Sequence, residues 1–219
     1  YEHINPELVG NRRHIVISDQ SGRSNLMAQF REIGLEIEPN DPKVMRILET
    51  VKAQEFVGYT YDGAEASFEL LARRILGDVP EYFRLASFRV IDERRWNAKD
   101  ELITLSEATV KLLADNQQIM AVAEGNGPVN ALDAAIRKVL VQFYPQLEDL
   151  RLVDYKVRIL NSGDGTGAVT RVMIESADGI GENWSTVGVS ANVIDASYNA
   201  LRDSIIYKLF RDGAKAVAT

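Results

Sequence analysis

Residues 123–140, AEGNGPVNALDAAIRKVL, pass from a strand-like pattern through a glycine-rich turn into a patterned helix. Pro128 suits the first position of that helix, because its fixed φ is pre-organised and its missing N–H has no helical partner there. Apolar residues then recur at helical spacing and predict one buried stripe: Val129, Leu132, Ile136, Val139 and Phe143. The stretch therefore predicts a strand, a tight turn and a helix that packs on a sheet and ends at Tyr144-Pro145.

The same order of elements is predicted twice. In the first copy three strand patterns precede the helix, at residues 82–95, 107–114 and 117–124, with a hairpin turn at Asp115-Asn116. In the second copy three more precede a helix at 192–210, at residues 150–160, 168–178 and 183–190. In the first strand of this copy, alternation places one apolar set on a single face: Val153, Tyr155, Val157 and Ile159. The fold class is therefore α+β with two strand-strand-strand-helix (βββα) units.

Sequence similarity between the two units also supports a duplication, because residues 130–135 match residues 192–197, 62 positions later. Each unit has one apolar sheet face, so two units pack together and their free edges favour a homodimer. The second copy enters its helix with Ser190 as an ordinary cap, whereas only the first copy uses two glycines. This asymmetry favours a functional role for the first turn.

The first third of the chain predicts short helices and no chemical constellation. One helix has Ser24 as its cap and Gly34 as its stop, the next begins at Asp41-Pro42, and the third ends at Gly77. Residues 12–19 are predicted as a strand. We expect linker subdomains over residues 1–80, the duplicated domain over 81–213 and a tail over 214–219.

Composition excludes several classes of protein. The 219 residues carry a net charge of −7, which argues against nucleic-acid binding. There is no cysteine, and with only two histidines, His3 and His14, we expect no histidine-built metal site. No apolar run approaches the roughly 20 residues of a membrane span, and no signal peptide is visible, so we expect a cytoplasmic protein. Since the chain begins at Tyr1, we expect it to be part of something larger.

The glycine turn and the first strand of the second unit are the candidate site. Gly125 and Gly127 would let backbone approach a ligand, and the N-terminus of the following helix suits a carboxylate or phosphate. The alternative is that both glycines adopt positive φ in a tight connection. Asp154 could hold an ammonium group, with Tyr155 and Ile159 beside an aliphatic chain; the alternatives are a solvated face for Asp154 and core packing for the other two.

Several long motifs resemble a known family. AEGNGPVNALDAA, LVDYKVRIL and TVGVSANVIDAS resemble the C-terminal regulatory domain of the α-isopropylmalate synthase family. YEHINPELVGN, SDQSGRSN and GYTYDGAEASFELLARR look more specifically like its citramalate synthase branch. The resemblance covers essentially the whole chain.

The resemblance implies a parent acyltransferase that condenses acetyl-CoA with an α-keto acid, pyruvate in the citramalate branch, on the path to isoleucine. Its metal-dependent (β/α)8 barrel has no counterpart in these residues. We therefore expect no catalytic residue, no metal site and no cofactor in this chain, with a divalent metal in the parent's barrel. In the family the end-product amino acid binds near the dimer interface. Carried over by motif, the effector site comprises Gly125, Asn126, Gly127, Val129, Asn130, Leu152, Asp154, Tyr155, Ile159 and Val169.

Three functions remain open on the sequence. The first is an isoleucine-sensing feedback module of a citramalate synthase, with a leucine-sensing region of an isopropylmalate synthase as its close alternative. The second is a purely structural dimerisation scaffold that binds nothing. The third is an enzyme in its own right, for which the chain lacks a histidine cluster, a cysteine or an activated serine motif.

Overall fold

The structure, a computed structural model, describes residues 23–160 and 167–218. Three helices come first: α1 Arg23–Glu32, α2 Pro42–Phe56 and α3 Glu65–Leu76. The first unit contains β1 Arg84–Trp96, β2 Leu102–Ala114, β3 Gln117–Gly125 and α4 Pro128–Leu140. After a short 3-10 turn at Pro145–Leu147, the second unit contains β4 Arg151–Ile159, β5 Thr170–Ala177, β6 Asn183–Ser190 and α5 Val193–Arg211. The two predicted βββα units are confirmed.

Each unit folds as an antiparallel sheet whose strands follow chain order, β1-β2-β3 and β4-β5-β6. The β2–β3 hairpin turns at Asp115 and Asn116, whose φ values of 51° and 56° are those of a type I′ turn. The first strand of each sheet is therefore an edge strand, and no other strand of the described residues pairs with its far side.

One core joins the two units. α4 buries Leu132, Ile136 and Val139 against its sheet, as the helical stripe predicts, while Val129 and Phe143 are only partly buried. α5 buries the larger part of its predicted stripe: Tyr198, Leu201, Ile205 and Leu209. Phe88 of β1 packs on Tyr198 of α5, with ring centroids 5.6 Å apart. The second helix therefore covers part of the first sheet as well as its own.

The register of the duplication differs from the letter match. Gly125 pairs with Ser106 and Ser190 with Thr170, and each helix begins three residues later, so Gly125 corresponds to Ser190, 65 positions on. Asn130 lies inside α4, whereas Asn192 is the N-cap of α5. The 62-residue match is thus three residues out of structural register. Ser190 was predicted as the cap, and this is wrong: Asn192 caps α5, and the Ser190 hydroxyl accepts the Asn192 N–H.

Most of the helix starts and ends predicted for the first third of the chain are confirmed. Asp41 caps α2 ahead of Pro42, and Gly77 ends α3 in the left-handed conformation. Ser24 is not a cap, because α1 already begins at Arg23. The predicted strand at residues 12–19 lies outside the described residues.

α3 and the connection that precedes it pack on the outer face of the second sheet, the face opposite α5, while α2 packs on α3 and α1 on α2. Arg171 of β5 donates from Nε to the carbonyl oxygen of Gly58 at 2.5 Å. Ser67 of α3 accepts the backbone N–H of Val187 at 3.0 Å. A side chain of the helical region therefore takes one donor on the outer edge of β6.

The C-terminal end of α5 is tied down by ion pairs. Lys208, whose side chain is 3% exposed, bonds to Asp149 at 2.9 Å and to Asp212 at 3.0 Å. Arg211 pairs with the buried Asp178 and lies over the Trp184 ring. The predicted tail is also attached, because the Val217 N–H bonds to the Tyr144 hydroxyl at 3.1 Å.

None of the helices in residues 23–160 and 167–218 is both long and apolar enough to cross a membrane.

Candidate functional site

The glycine turn places its two glycines in different surroundings. A Cβ on Gly125 would lie 2.5 Å from the backbone nitrogen of Ala131 and 2.6 Å from Oδ1 of Asn130. A Cβ on Gly127 would have no atom within 4 Å. Neither glycine has positive φ, so the alternative based on left-handed backbone is wrong. Gly125 is needed where α4 approaches β3, whereas packing gives no reason for glycine at 127.

The two helix starts also differ in capping. Asn192 accepts the N–H groups of Ile194 and Asp195, which closes the N-terminus of α5. Gly127, the N-cap of α4, offers no side chain and has an extended φ of −173°. Asn130 instead folds back and accepts the Asn126 N–H at 3.2 Å. No side chain among the described residues caps the first turn of α4, which therefore keeps free N–H donors and a partial positive charge beside an unobstructed glycine.

Alanine at these two positions is expected to separate packing from function. Gly125→Ala should lower the free energy of unfolding by about 1–3 kcal/mol, because backbone atoms of α4 must move. Gly127→Ala should change stability by less than about 0.5 kcal/mol, since the extended backbone accepts alanine and the reduced freedom of the unfolded chain offsets the poorer capping by alanine. Urea unfolding followed by circular dichroism measures both. Equal destabilisation by the two substitutions would contradict this account of the turn.

β4 presents an apolar stripe that its own helix does not cover. Leu152, Tyr155 and Ile159 pair with Ser176, Ile174 and Thr170, which all lie on the buried, α5-facing side of β5. On the edge strand these side chains stay open, with Ile159 60% exposed. The Tyr155 hydroxyl is fixed 2.8 Å from Oγ of Ser197, in the second turn of α5. Together with Val157 they form what we call the β4 stripe: Leu152, Tyr155, Val157 and Ile159.

A bulge sets the composition of this stripe. The register shifts between Leu152 and Asp154, so Val153 has no partner on β5. The predicted face of Val153, Tyr155, Val157 and Ile159 is therefore corrected: Leu152 takes the place assigned to Val153. No sequence signal marked the bulge.

Asp154 lies on the other side of the strand, because it pairs with Glu175 on the outer face of β5. Its carboxylate accepts the Tyr155 N–H at 2.8 Å and bonds to Lys156 at 2.5 Å. The Lys156 hydrogen bond, then the Tyr155 N–H, lower the pKa of Asp154 below its usual value. Since the N–H it accepts is not used by β5, the carboxylate lies along the open edge of β4.

The structure brings the predicted residues together in two groups. Gly125, Asn126, Gly127, Val129 and Asn130 form the start of α4, and the β4 stripe with Asp154 forms an edge of the second sheet. Val169 extends that sheet, where its carbonyl accepts the Leu160 N–H at 2.9 Å. Among the described residues no hydrogen bond or ion pair links the two groups. The role of Ser197 was not predicted. The only sequence signal near it is that residues 192–197 repeat residues 130–135.

Across residues 23–160 and 167–218, no three acidic or histidine side chains lie close enough together to hold a metal ion.

Comparison with known proteins decides the family. The family model described as the LeuA allosteric (dimerisation) domain matches residues 62–209. The chain belongs to this family. Both βββα units, the glycine turn and the β4 stripe lie within the matched residues, and the match also includes α3.

Curated relatives place this LeuA domain more narrowly. It is 49% identical over 217 residues to an (R)-citramalate synthase of Aquifex aeolicus, which covers 99% of this chain and 40% of the relative. It is 50% identical over 211 residues to the (R)-citramalate synthase of Geobacter sulfurreducens, covering 96% of this chain and 39% of the relative. It is 38% identical over 209 residues to the (R)-citramalate synthase of Sulfolobus acidocaldarius, covering 95% of this chain and 37% of the relative. The chain spans about two fifths of the length of these relatives, and it is most like the regulatory region of the citramalate synthase branch.

Proposed function

We propose that the chain is the feedback-inhibition module of a citramalate synthase and that it binds isoleucine. The observation that carries the proposal is the open N-terminus of α4 beside Gly127, set against the capped N-terminus of α5. The two helices are equivalent in the duplicated fold, but only α4 lacks a side-chain cap, and uncapped N–H groups suit an anionic ligand. The family's description as an allosteric domain supports a regulatory ligand for this chain.

No described hydrogen bond or ion pair joins the α4 start to the β4 stripe within one chain, so in this proposal the two meet across the homodimer. The ligand carboxylate binds the free N–H groups of the α4 start, and the aliphatic side chain lies on the β4 stripe. Tyr155 supplies the largest surface, held in place by Ser197. The ammonium group bonds to Asp154 at the open edge of β4, where it displaces Lys156. This exchange costs little, because the Lys156 side chain is 74% exposed and surface ion pairs contribute weakly.

Dimerisation fits the same surface. The family's description as a dimerisation domain indicates a homodimer, and the β4 stripe is apolar area on an edge strand that a second copy can cover. We place the ligand beside this interface. The parent's reaction of acetyl-CoA with pyruvate, and the divalent metal it would use, belong in this proposal to the part of the parent outside this chain.

Calorimetric titration with isoleucine, leucine and valine tests the proposal. We expect saturable micromolar binding of isoleucine and weaker binding of the other two, since one rearranged methyl group discriminates by about 1–3 kcal/mol. Tyr155→Ala should weaken isoleucine binding at least tenfold through loss of buried ring area, an effect of about 1.4 kcal/mol or more. Tyr155→Phe is the matched control, because it removes only the hydrogen bond to Ser197 and should change affinity much less.

The other outcomes are informative. Tighter binding of leucine would favour a leucine-sensing region of an isopropylmalate synthase, or a sensor of relaxed specificity, over an isoleucine sensor. Absence of binding by all three, from a dimer that light scattering shows intact and circular dichroism shows folded, would overturn the sensing function. The scaffold alternative would then stand, and it has its own support in the β4 stripe, which dimerisation alone can cover.

A further inference from the structure

A second cleft lies between the helical region and the second unit. It has a volume of about 280 Å³ and is bordered by α2, α3, β6 and α5. This is roughly the space of nine water molecules, just below the range of about 300–1,000 Å³ for small-ligand pockets. None of the residues predicted for the effector site lines it. The cleft is therefore a separate place at which a ligand could act.

The floor of the cleft is a satisfied polar chain. The Val187 N–H bonds to Ser67, and the Ser67 hydroxyl donates to Oδ2 of Asp203 at 3.1 Å. Arg74 of α3 donates to the other Asp203 oxygen at 2.7 Å. Because Asp203 is a residue of α5, this chain already joins the helical region to the second unit. The Asp203 charge is neutralised by Arg74.

Arg202 is the charged residue of the cleft lining that the Arg74–Asp203 pair does not include. It lines the cleft beside Asn199 and is partly buried, and it makes no hydrogen bond or ion pair with any residue that the structure describes. Among the residues that line this cleft, two guanidinium groups and one carboxylate leave one positive charge. Arg202 and Arg74 also border the adjoining cavity that Glu81 lines. A partly desolvated guanidinium with free donors favours a carboxylate or a similar anion, which it can bind in a bidentate manner.

The wall opposite the charge is apolar. Leu71 and Ile75, four residues apart on α3, present side chains to the cleft, with Val187 of β6 beside them. A doubly charged phosphate would meet only one excess positive charge together with this hydrocarbon wall. One charge and a short apolar wall instead match a singly charged acid with a small hydrocarbon tail.

We propose that this cleft binds a small aliphatic monocarboxylate, with its carboxylate on Arg202 and its hydrocarbon on Leu71 and Ile75. Such a ligand touches α3 and α5 at once, so it stabilises the docked arrangement of the helical region on the second unit. The chain would then respond to a carboxylic acid at a site distinct from that of the amino acid.

The probe for this site is 4-methylpentanoate, titrated into the 219-residue chain and followed by calorimetry and by NMR of the backbone amides. The matched uncharged probe is 4-methylpentanamide, which keeps the hydrocarbon and loses the charge. We expect saturable binding of the acid, at least tenfold weaker binding of the amide, and shifted amide signals in α3 and near Arg202. Arg202→Gln should weaken binding of the acid at least tenfold, whereas Arg89→Gln, at an exposed arginine of β1, should leave it unchanged.

Three results would overturn the proposal: no saturable binding of the acid, equal binding of acid and amide, or affinity unchanged by Arg202→Gln. Thermal unfolding of each variant shows that a lost signal is not lost folding. The test is independent of the isoleucine site, because Tyr155→Ala should retain full affinity for 4-methylpentanoate. A loss of affinity for the acid in that variant would place the probe on the β4 stripe and likewise overturn the proposal.

Discussion

Replacing Gly188 by alanine is expected to lower the free energy of unfolding by about 3 kcal/mol or more, the upper range for an overpacked core. A Cβ at this position would lie 2.8 Å from the backbone nitrogen of Ala200 and closer still to the carbonyl oxygen of Ala196. Both atoms belong to the backbone of α5, so no side-chain rotation can relieve the contact. The helix would have to move away from β6 as a whole.

Such a movement is opposed at the far end of the helix. Lys208 and Arg211 fix α5 to Asp149 and Asp178, and buried Leu201 and Ile205 would lose packing if the helix shifted. Gly188→Val should therefore fail to fold. Urea unfolding of Gly188→Ala measures the loss, with Gly127→Ala as the control glycine that has open space. An unchanged unfolding midpoint for Gly188→Ala would mean that α5 does not rest on β6 as described.

Replacing Lys208 by methionine is the second large effect we expect. Methionine keeps most of the buried hydrocarbon stem and removes the ammonium group that Asp149 and Asp212 share. Breaking a buried ion pair costs about 3–5 kcal/mol, but Asp149 is 45% exposed and can rehydrate, so we expect a loss of about 2 kcal/mol. The control is Lys138→Met, at an exposed lysine in the last turn of α4, which should cost much less.

The pH dependence identifies the cause. Burial would raise the pKa of Asp149, but its bonds to Lys208 and to the Gly179 N–H outweigh burial and lower it. A pKa lowered on folding contributes stability above the unfolded value, about 3.9, and the contribution is lost as pH falls through the folded pKa. The pKa of Lys208 is raised, so its contribution is present below about pH 10.4 and is lost above that value.

Wild type and Lys208→Met should therefore differ most between about pH 5 and pH 9 and converge toward pH 3. Free energies of unfolding from urea titrations across this range give the comparison. A difference that stays constant down to pH 3 would assign the loss to packing around residue 208 and would contradict the ion-pair account.

Local signals predicted the elements well, because the interactions that start and end them lie within a few residues. Asp41-Pro42, Gly77 and Asp115-Asn116 each carry their own backbone preference, and the structure uses them as predicted. The repeated six-residue sequence indicated the duplication but not which residues of the two units are equivalent. The helix starts define that equivalence, and they show that Asn192 caps α5 whereas Asn130 lies inside α4.

What could not be predicted depends on contacts distant in sequence. The bulge at Val153 changes which side chains share a face, and alternation alone assigns that face wrongly. The Ser67 and Arg171 contacts between the helices and the second sheet join residues more than 100 positions apart. For the candidate site, the sequence indicated the glycine turn and Tyr155. It could not show that only Gly125 is required by packing, or that Tyr155 is held by Ser197.

The occupied edge of β6 has a consequence for how copies of the chain can associate. A sheet with two open edges can add a strand on each side, and repetition of that contact builds an open-ended filament. Ser67 of α3 takes the Val187 N–H within the chain, so among the described residues β6 is less available to a neighbouring strand than β4. Repeated addition of strands on both sides of this sheet is therefore disfavoured. The helical region in this way favours a closed pair over an open-ended assembly through this sheet.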